Sequence, residues 1–102
     1  MTPQEALLKA AEYIEDHGHC QFELQDQEGR VCARGALLAV LTGDPNRHTD
    51  SDPAYMLRVE AERMVESTVG AQYIITWNNQ EGRTEGEVVR AFRKAAQLTE
   101  VP

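Results

Sequence analysis

Four side chains of the kinds that bind metals or attack carbon lie near one another in the sequence: His17, His19, Cys20 and, twelve residues on, Cys32. Imidazole and thiolate are the usual ligands of structural zinc, so these four form one candidate metal set. Their spacing matches neither the Cys-x-x-Cys pair nor the two-histidine pair that mark zinc modules. A second chemistry is nucleophilic: a thiol of Cys20 or Cys32 activated by a histidine, which an acid or amide orients. His19 is the base nearest Cys20, but adjacent side chains of an extended segment point to opposite faces. His48 reaches a thiol only if its loop folds back. No Gly-x-Cys-x-Gly turn or upstream Gln suggests an oxyanion hole. The plainer reading is the one we favour. It places His17 at the carboxyl end of a helix, where a cation is stabilised, and treats the cysteines as small core residues. Catalytic residues are left unassigned, with Cys20, Cys32 and His19 as candidates. No metal or other cofactor is expected.

Trp77-Asn78-Asn79 and Arg83 make a second group. One reading is a polar ligand site, with Asn78, Asn79 and Arg83 beside an exposed indole. The favoured alternative has Trp77 plugging the core, while Asn78 and Asn79 satisfy loop backbone groups ahead of a cap at Thr84. Glu-Gly-Arg occurs at 28–30 and again at 81–83, which is turn chemistry. The chain has no Walker sequence, no dinucleotide fingerprint and no paired acids on one helix.

Thr2-Pro3-Gln4-Glu5 is a capping box with proline at the first helical position. Leu7, Ala10, Ala11 and Ile14 follow at helical spacing, so a first helix is predicted over Pro3 to His17. Gly18 is placed to end it in the left-handed conformation. Between Cys20 and Arg34 the period becomes two, with Phe22 and Leu24 in one run and Val31 and Ala33 in the other. Asp26-Gln27-Glu28-Gly29 lies between them as a turn. A short β-hairpin is expected, with a folded-back loop as the alternative. Its register matters: pairing Phe22 with Cys32 puts both cysteines on one face, and a slip of one residue separates them.

Gly35 to Leu41 is the most hydrophobic stretch and reads as a buried helix, though periodicity alone does not exclude a strand. Asp44 to Asp52 reads as an exposed loop. Asp52-Pro53 should cap a third helix, with Leu57, Ala61, Met64 and Val65 inward and Arg58/Glu62 as an exposed pair. Gly70 closes it. Tyr73 to Trp77 is a strand or a short helix. Thr84-Glu85-Gly86-Glu87 is a second capping box, opening a helix with Val88, Phe92, Ala95 and Ala96 inward.

With 102 residues there is room for one modest core, and an apolar fraction of 41% is enough to build it. The net charge of −7 repels phosphate backbones and favours a basic partner. The opening residues carry no basic n-region, and no apolar run approaches membrane-spanning length. A cytoplasmic protein with reduced thiols is therefore expected, without signal or anchor.

Cys20-Gln21, Gly29-Arg30-Val31-Cys32-Ala33-Arg34-Gly35-Ala36-Leu37, Trp77-Asn78-Asn79 and Gly82-Arg83-Thr84 with Glu87-Val88 occur in this order. With the amphipathic first helix they resemble a family of small uncharacterised proteins, a domain of unknown function, from actinobacteria and their phages. The resemblance covers nearly the whole chain. It departs at His19, where tryptophan is expected, at Phe22, where glycine is expected, and at Asn79, where aspartate is expected. It implies no activity, and it points to Cys20, Cys32, Trp77 and Asn78.

The expected architecture is α+β but mostly helical: about four helices and one short hairpin in a single compact domain. The expected function is that of a non-enzymatic accessory protein, phage-encoded in one version, which binds a host protein or itself through an acidic surface. No nucleic acid and no membrane is expected as a partner. The alternative is a small Cys-dependent enzyme or zinc-bound domain at His17, His19, Cys20 and Cys32.

Overall fold

The computed structural model describes residues 1–47, 49 and 53–98. Five helices follow in order: α1 (Pro3–His17), α2 (Ala33–Thr42), α3 (Ala54–Val69), α4 (Ile74–Asn78) and α5 (Glu85–Leu98). α1 begins as its sequence requires. The Thr2 hydroxyl accepts from the Glu5 N–H at 3.1 Å, and the Glu5 carboxylate accepts from the Thr2 N–H at 3.1 Å. Gly18 ends it with its N–H bonded to the Ile14 carbonyl at 2.7 Å. The expected left-handed cap differs in detail. Gly18 has φ 95° and ψ 168°, outside the left-handed helical region and in a region that is essentially glycine's alone, so the chain leaves α1 extended.

The core is rich in alanine. Ala6, Ala10 and Ala11 of α1 and Ala91, Ala95 and Ala96 of α5 are buried in one cluster, and α1 packs most extensively on α5. Small facing side chains let the two helices approach closely, and Leu7, Ile14, Leu37, Val65 and Phe92 fill the remaining space with no exposed surface. At the rim of this contact Arg93 of α5 pairs with Glu15 of α1. α5 opens on the expected capping box, with the Glu87 N–H donating to the Thr84 hydroxyl at 3.2 Å and the Thr84 N–H to the Glu87 carboxylate at 2.9 Å.

The segment between α1 and α2 is not a hairpin. Among the described residues there are no strands, only two isolated bridges, His19 to Val31 (parallel) and Gln25 to Val31 (antiparallel). The cause is local. Phe22 has φ 71°, which no strand residue adopts, and residues 21–24 bend. Val31 is instead gripped by the chain entering the loop: its N–H donates to the Gly18 carbonyl and its carbonyl accepts from the Cys20 N–H, both at 3.0 Å. The expected turn at 26–29 does form. Asp26 Oδ1 accepts from the N–H groups of Glu28 and Arg30, and Gly29 has φ 83°. Phe22 does not pair with Cys32. The Cys32 N–H donates to the Leu24 carbonyl at 3.2 Å, so the register question does not arise.

α2 starts two residues earlier than expected, with Cys32 as its N-cap. Gly35 lies against the loop so closely that a Cβ there would sit 2.0 Å from the Leu24 carbonyl oxygen. Tyr73 to Trp77 resolves as helix: Tyr73 is the N-cap of α4, and Ile74 and Trp77 are buried. The Asp52 cap lies outside the described residues, as does part of the Asp44–Asp52 loop. Within α3 the Arg58/Glu62 pair is buried, not exposed. Spacing four apart identified the partners but not the face, because Arg34 of α2 reaches across and takes the same carboxylate.

Candidate functional site

The residues singled out from the sequence divide between two places and one outlier. The main group lies where the end of α4 meets the loop after α1. Asn78, with no exposed surface, holds the junction together. Its Oδ1 accepts from the Ala33 N–H at 3.0 Å and is 2.8 Å from His19 Nε2. Its Nδ2 donates to the Cys20 carbonyl at 3.2 Å and to Asn79 Oδ1 at 3.0 Å. That oxygen of Asn79 also accepts from the Phe22 N–H at 2.8 Å. Gln21 closes the same seam, donating to the carbonyls of Asn78 at 3.1 Å and Gln80 at 2.7 Å. A loop without strand partners thereby obtains its hydrogen bonds from the side chains of a five-residue helix and its flank.

Trp77 is buried in the core, and Arg83 lies over its ring with the guanidinium carbon 4.3 Å from the centroid. Arg83 Nε donates to the Trp77 carbonyl at 3.0 Å, Nη1 pairs with Glu87 at 3.1 Å, and Nη2 bonds Gln80. The indole is thus covered rather than exposed, and the Arg83 side chain over it is itself only 16% exposed.

His19, Cys20, Gln21 and Arg83 line an open polar cleft of about 690 Å³ together with Glu23, Asp26, Gln27, Glu28, Arg30 and Glu85. Asp26 is occupied by Arg30 at 2.6 Å. Burial works against its carboxylate, but the bonds from the Arg30 side chain and from the Arg30 and Glu28 backbone outweigh it, so its pKa lies below the ordinary value.

Cys20 faces this cleft, yet its sulfur is tied down as a donor to the carbonyls of Glu23 and Arg30, each at 3.3 Å. Burial first, then the neighbouring Cys32 and Asp26, push its pKa up to about 11. Cys32, though near Cys20, opens onto a different space, a small cavity of about 110 Å³ with Phe22, Leu24, Ile75 and Asn79. Its sulfur caps α2 by accepting from the Gly35 N–H at 3.3 Å. A helix N-terminus favours a thiolate, but burial dominates and raises this pKa too. Neither thiol bonds a histidine among the described residues, and His19 spends Nε2 on Asn78. Both sulfurs therefore stay protonated at neutral pH.

His17 is the outlier. Its ring stacks on Tyr13 at 3.9 Å between centroids, and Nδ1 lies 3.0 Å from the Tyr13 carbonyl, at the carboxyl end of α1. The four candidate zinc ligands are consequently not assembled, and no three His, Cys, Asp or Glu side chains among the described residues are grouped to hold an ion. His48 lies outside the described residues.

Sequence reasoning missed three participants. Gln21 reads as a polar residue of the expected hairpin, and its one signal is its place in the Cys20-Gln21 piece of the resemblance, which says nothing of its two bonds. Phe22 reads as an apolar residue of the first hairpin run, with no sign that it is 77% exposed. The Arg34–Glu62–Arg58 cluster had one legible sign, an arginine opening the most apolar stretch of the chain.

Among the described residues no helix is long and apolar enough to cross a membrane. No curated protein and no solved structure matches the chain. The model of a family of unknown function (DUF6197) matches residues 1–98, nearly the whole length, and the protein belongs to that family.

Proposed function

We propose that the protein is a non-enzymatic accessory protein of an actinobacterial or phage-infected cytoplasm, and that it binds a basic protein partner through the loop after α1. The observation that carries this reading is Phe22. The residue is 77% exposed, and its backbone is held at φ 71° by the bond from its N–H to Asn79. A large aromatic in the left-handed region is strained, and such strain persists only where the surroundings enforce it. A rigid exposed aromatic is the kind of residue that anchors an interface, because little side-chain or backbone freedom is lost when it is buried. Glu23 follows it directly, and the net charge of −7 gives a basic partner a favourable approach. Two copies of this chain would repel each other at that charge, so we favour a different protein over self-association. The buried, protonated thiols support the same reading, since they supply no nucleophile at neutral pH.

The test is capture of a partner by the tagged full chain and by Phe22→Ala, at low and moderate salt, with size-exclusion chromatography of the complex. Burying a phenylalanine contributes about 1.5–3 kcal/mol. Phe22→Ala should therefore weaken binding about tenfold or more, and salt should weaken the unaltered complex. A chain that stays monomeric and retains no Phe22-dependent partner at either salt refutes the proposal.

A further inference from the structure

Two openings meet at one residue of the loop after α1. On one side is the cavity of about 110 Å³ lined by Phe22, Glu23, Leu24, Cys32, Ile75 and Asn79. On the other is the polar cleft of about 690 Å³. Glu23 borders both, and Phe22 beside it is 77% exposed.

The two spaces differ in chemistry. Phe22, Leu24, Ile75 and a protonated thiol wall the cavity, and that thiol already accepts from the Gly35 N–H. The Asn79 oxygen is committed to the Phe22 N–H and to Asn78. A charged group would be desolvated there for little return, so the fitting occupant is apolar. An apolar cavity of about 150 Å³ holds benzene, with its six carbons, so this one has room for about four. That is the size of a leucine side chain.

The cleft carries the carboxylates of Glu23, Asp26, Glu28 and Glu85 against the guanidinium groups of Arg30 and Arg83. Arg30 is taken by Asp26 at 2.6 Å, with Glu28 at 3.6 Å, and Arg83 is paired at 3.1 Å with Glu87, outside the lining. Glu23 and Glu85 have no ion-pair partner among the described residues. The cleft thus keeps surplus negative charge on a chain whose net charge is already −7, and it favours a cation.

We propose that the partner is recognised through a short extended segment that displays a leucine-sized aliphatic side chain and, two residues away, a lysine or arginine. The aliphatic group fills the cavity beside Phe22, and the cation enters the cleft beside Glu23. Side chains two apart on an extended chain project to the same side, about 6.5–7 Å from each other, and so can straddle a single residue. This rests on the reading that Phe22 anchors a basic protein partner, and it adds what that partner must display.

The full chain is titrated with acetyl-Leu-Ser-Arg-amide and with the reverse, acetyl-Arg-Ser-Leu-amide, and followed by backbone amide chemical shifts. One of the two should bind saturably, with its largest shifts at Glu23, Leu24 and Ile75. In the better binder, alanine in place of leucine should weaken binding about tenfold. Tryptophan in that place, too large for the cavity, should weaken it as much. Glutamine in place of arginine should weaken it about two- to fivefold, a difference that shrinks with salt. Glu23→Gln, at an exposed position, should remove the same preference. Shifts that never saturate, a tryptophan peptide that binds as well as the leucine one, or equal binding of the arginine and glutamine peptides overturn the inference. If the peptides fail while partner capture still depends on Phe22, the anchor reading survives and this recognition rule does not. If capture fails while the peptides behave as described, the two subsites stand and the anchor reading falls.

Discussion

Replacing Asn78 should show how the loop after α1 is held. The side chain makes four hydrogen bonds with no exposed surface, and its two atoms have opposite duties. Asn78→Ala leaves the Ala33 N–H and the Cys20 carbonyl buried without partners, and each such group costs about 1–3 kcal/mol. Some of that is recovered if water enters the space left by the amide, so we expect a loss of about 3–5 kcal/mol, a large share of the ~5–15 kcal/mol that holds a domain of this size. Asn78→Asp keeps the oxygen that Ala33 and His19 use but replaces the donor to Cys20 and Asn79 with a second acceptor. Burial and the two carbonyl oxygens it would face raise its folded pKa, outweighing the lowering by the Ala33 N–H and His19 on its other oxygen, so we expect it above the unfolded value of about 3.9. The sign follows: the protonated acid restores one donor, the deficit relative to the unaltered chain is smallest at low pH, and it grows as pH rises through the raised pKa. Asn79→Asp is the control. Asn79 uses only its oxygen, as acceptor from the Phe22 N–H and Asn78 Nδ2, and a carboxylate serves both. Urea unfolding followed by circular dichroism, across pH, measures all three. If Asn78→Ala lies within about 1 kcal/mol of the unaltered chain, or if Asn79→Asp is as costly as Asn78→Asp, the junction is not held as described.

Three further outcomes follow from single contacts. Gly35→Ala should cost about 3 kcal/mol or more, because the added Cβ meets the Leu24 carbonyl oxygen at 2.0 Å and that backbone cannot retreat without releasing the Cys32 N–H. Gly43→Ala, at φ 85° in open space, should cost only about 1–2 kcal/mol, and equal melting temperatures for the two would contradict the close approach. Phe22→Gly should raise the melting temperature slightly by relieving the φ 71° strain, while losing the partner that Phe22 anchors; a lower melting temperature would argue that the phenyl ring stabilises the fold. Glu5 and Glu87 have pKa values below 4.5, chiefly because each accepts a backbone N–H from its capping threonine. Their contribution is therefore complete above about pH 4.5 and lost as pH falls through the lowered values, so Glu87→Gln should flatten the acid limb of the stability curve.

Legibility in the sequence followed the range of the interactions. Both capping boxes and the inward faces of α1 and α5 are set within four residues of chain, and the sequence shows them as the structure has them. Burial of Trp77 is legible, but it suits a strand or a helix at Tyr73 to Trp77 equally; the helix also carries Ile74 and Asn78 inward, and the partners of Asn78 lie far away in the chain. The hairpin failed for the opposite reason. Its alternation of Phe22 and Leu24 with polar neighbours is a genuine period of two, but a bond from Asn79, fifty-seven residues away, fixes the Phe22 backbone where no strand can run. The resemblance carried a hint of this, since glycine is expected at position 22 and glycine adopts φ 71° freely. Likewise an aspartate at 79 would accept the same two hydrogens as Asn79, so the departure there removes no bond that the structure uses. Arg58/Glu62 shows the same limit: an i, i+4 pair looks alike on a solvated face and on one buried by Arg34 of another helix.

What the loop gains from this arrangement bears on its use. A segment from His19 to Val31 without regular pairing is long for a compact domain, and segments of that kind are ordinarily mobile unless something else holds them. Here Asn78, Asn79 and Gln21 bind its first turn, Asp26 fixes its bend, and Val31 is clasped by the chain that enters it. The cost of ordering the backbone is thus met in folding and does not recur on binding, which is the condition under which one exposed aromatic can contribute most of its burial energy to a complex. A test separates this from mere burial of polar groups. Asn79→Ala releases the Phe22 N–H, which solvent can satisfy, and one of the two bonds of Asn78 Nδ2, which keeps the Cys20 carbonyl, so stability should fall by about 1–2 kcal/mol, well short of Asn78→Ala. Partner capture should nonetheless weaken, because the ring is still present but no longer held. If Asn79→Ala binds the partner as well as the unaltered chain while Phe22→Ala does not, then the ring matters and its rigid presentation does not.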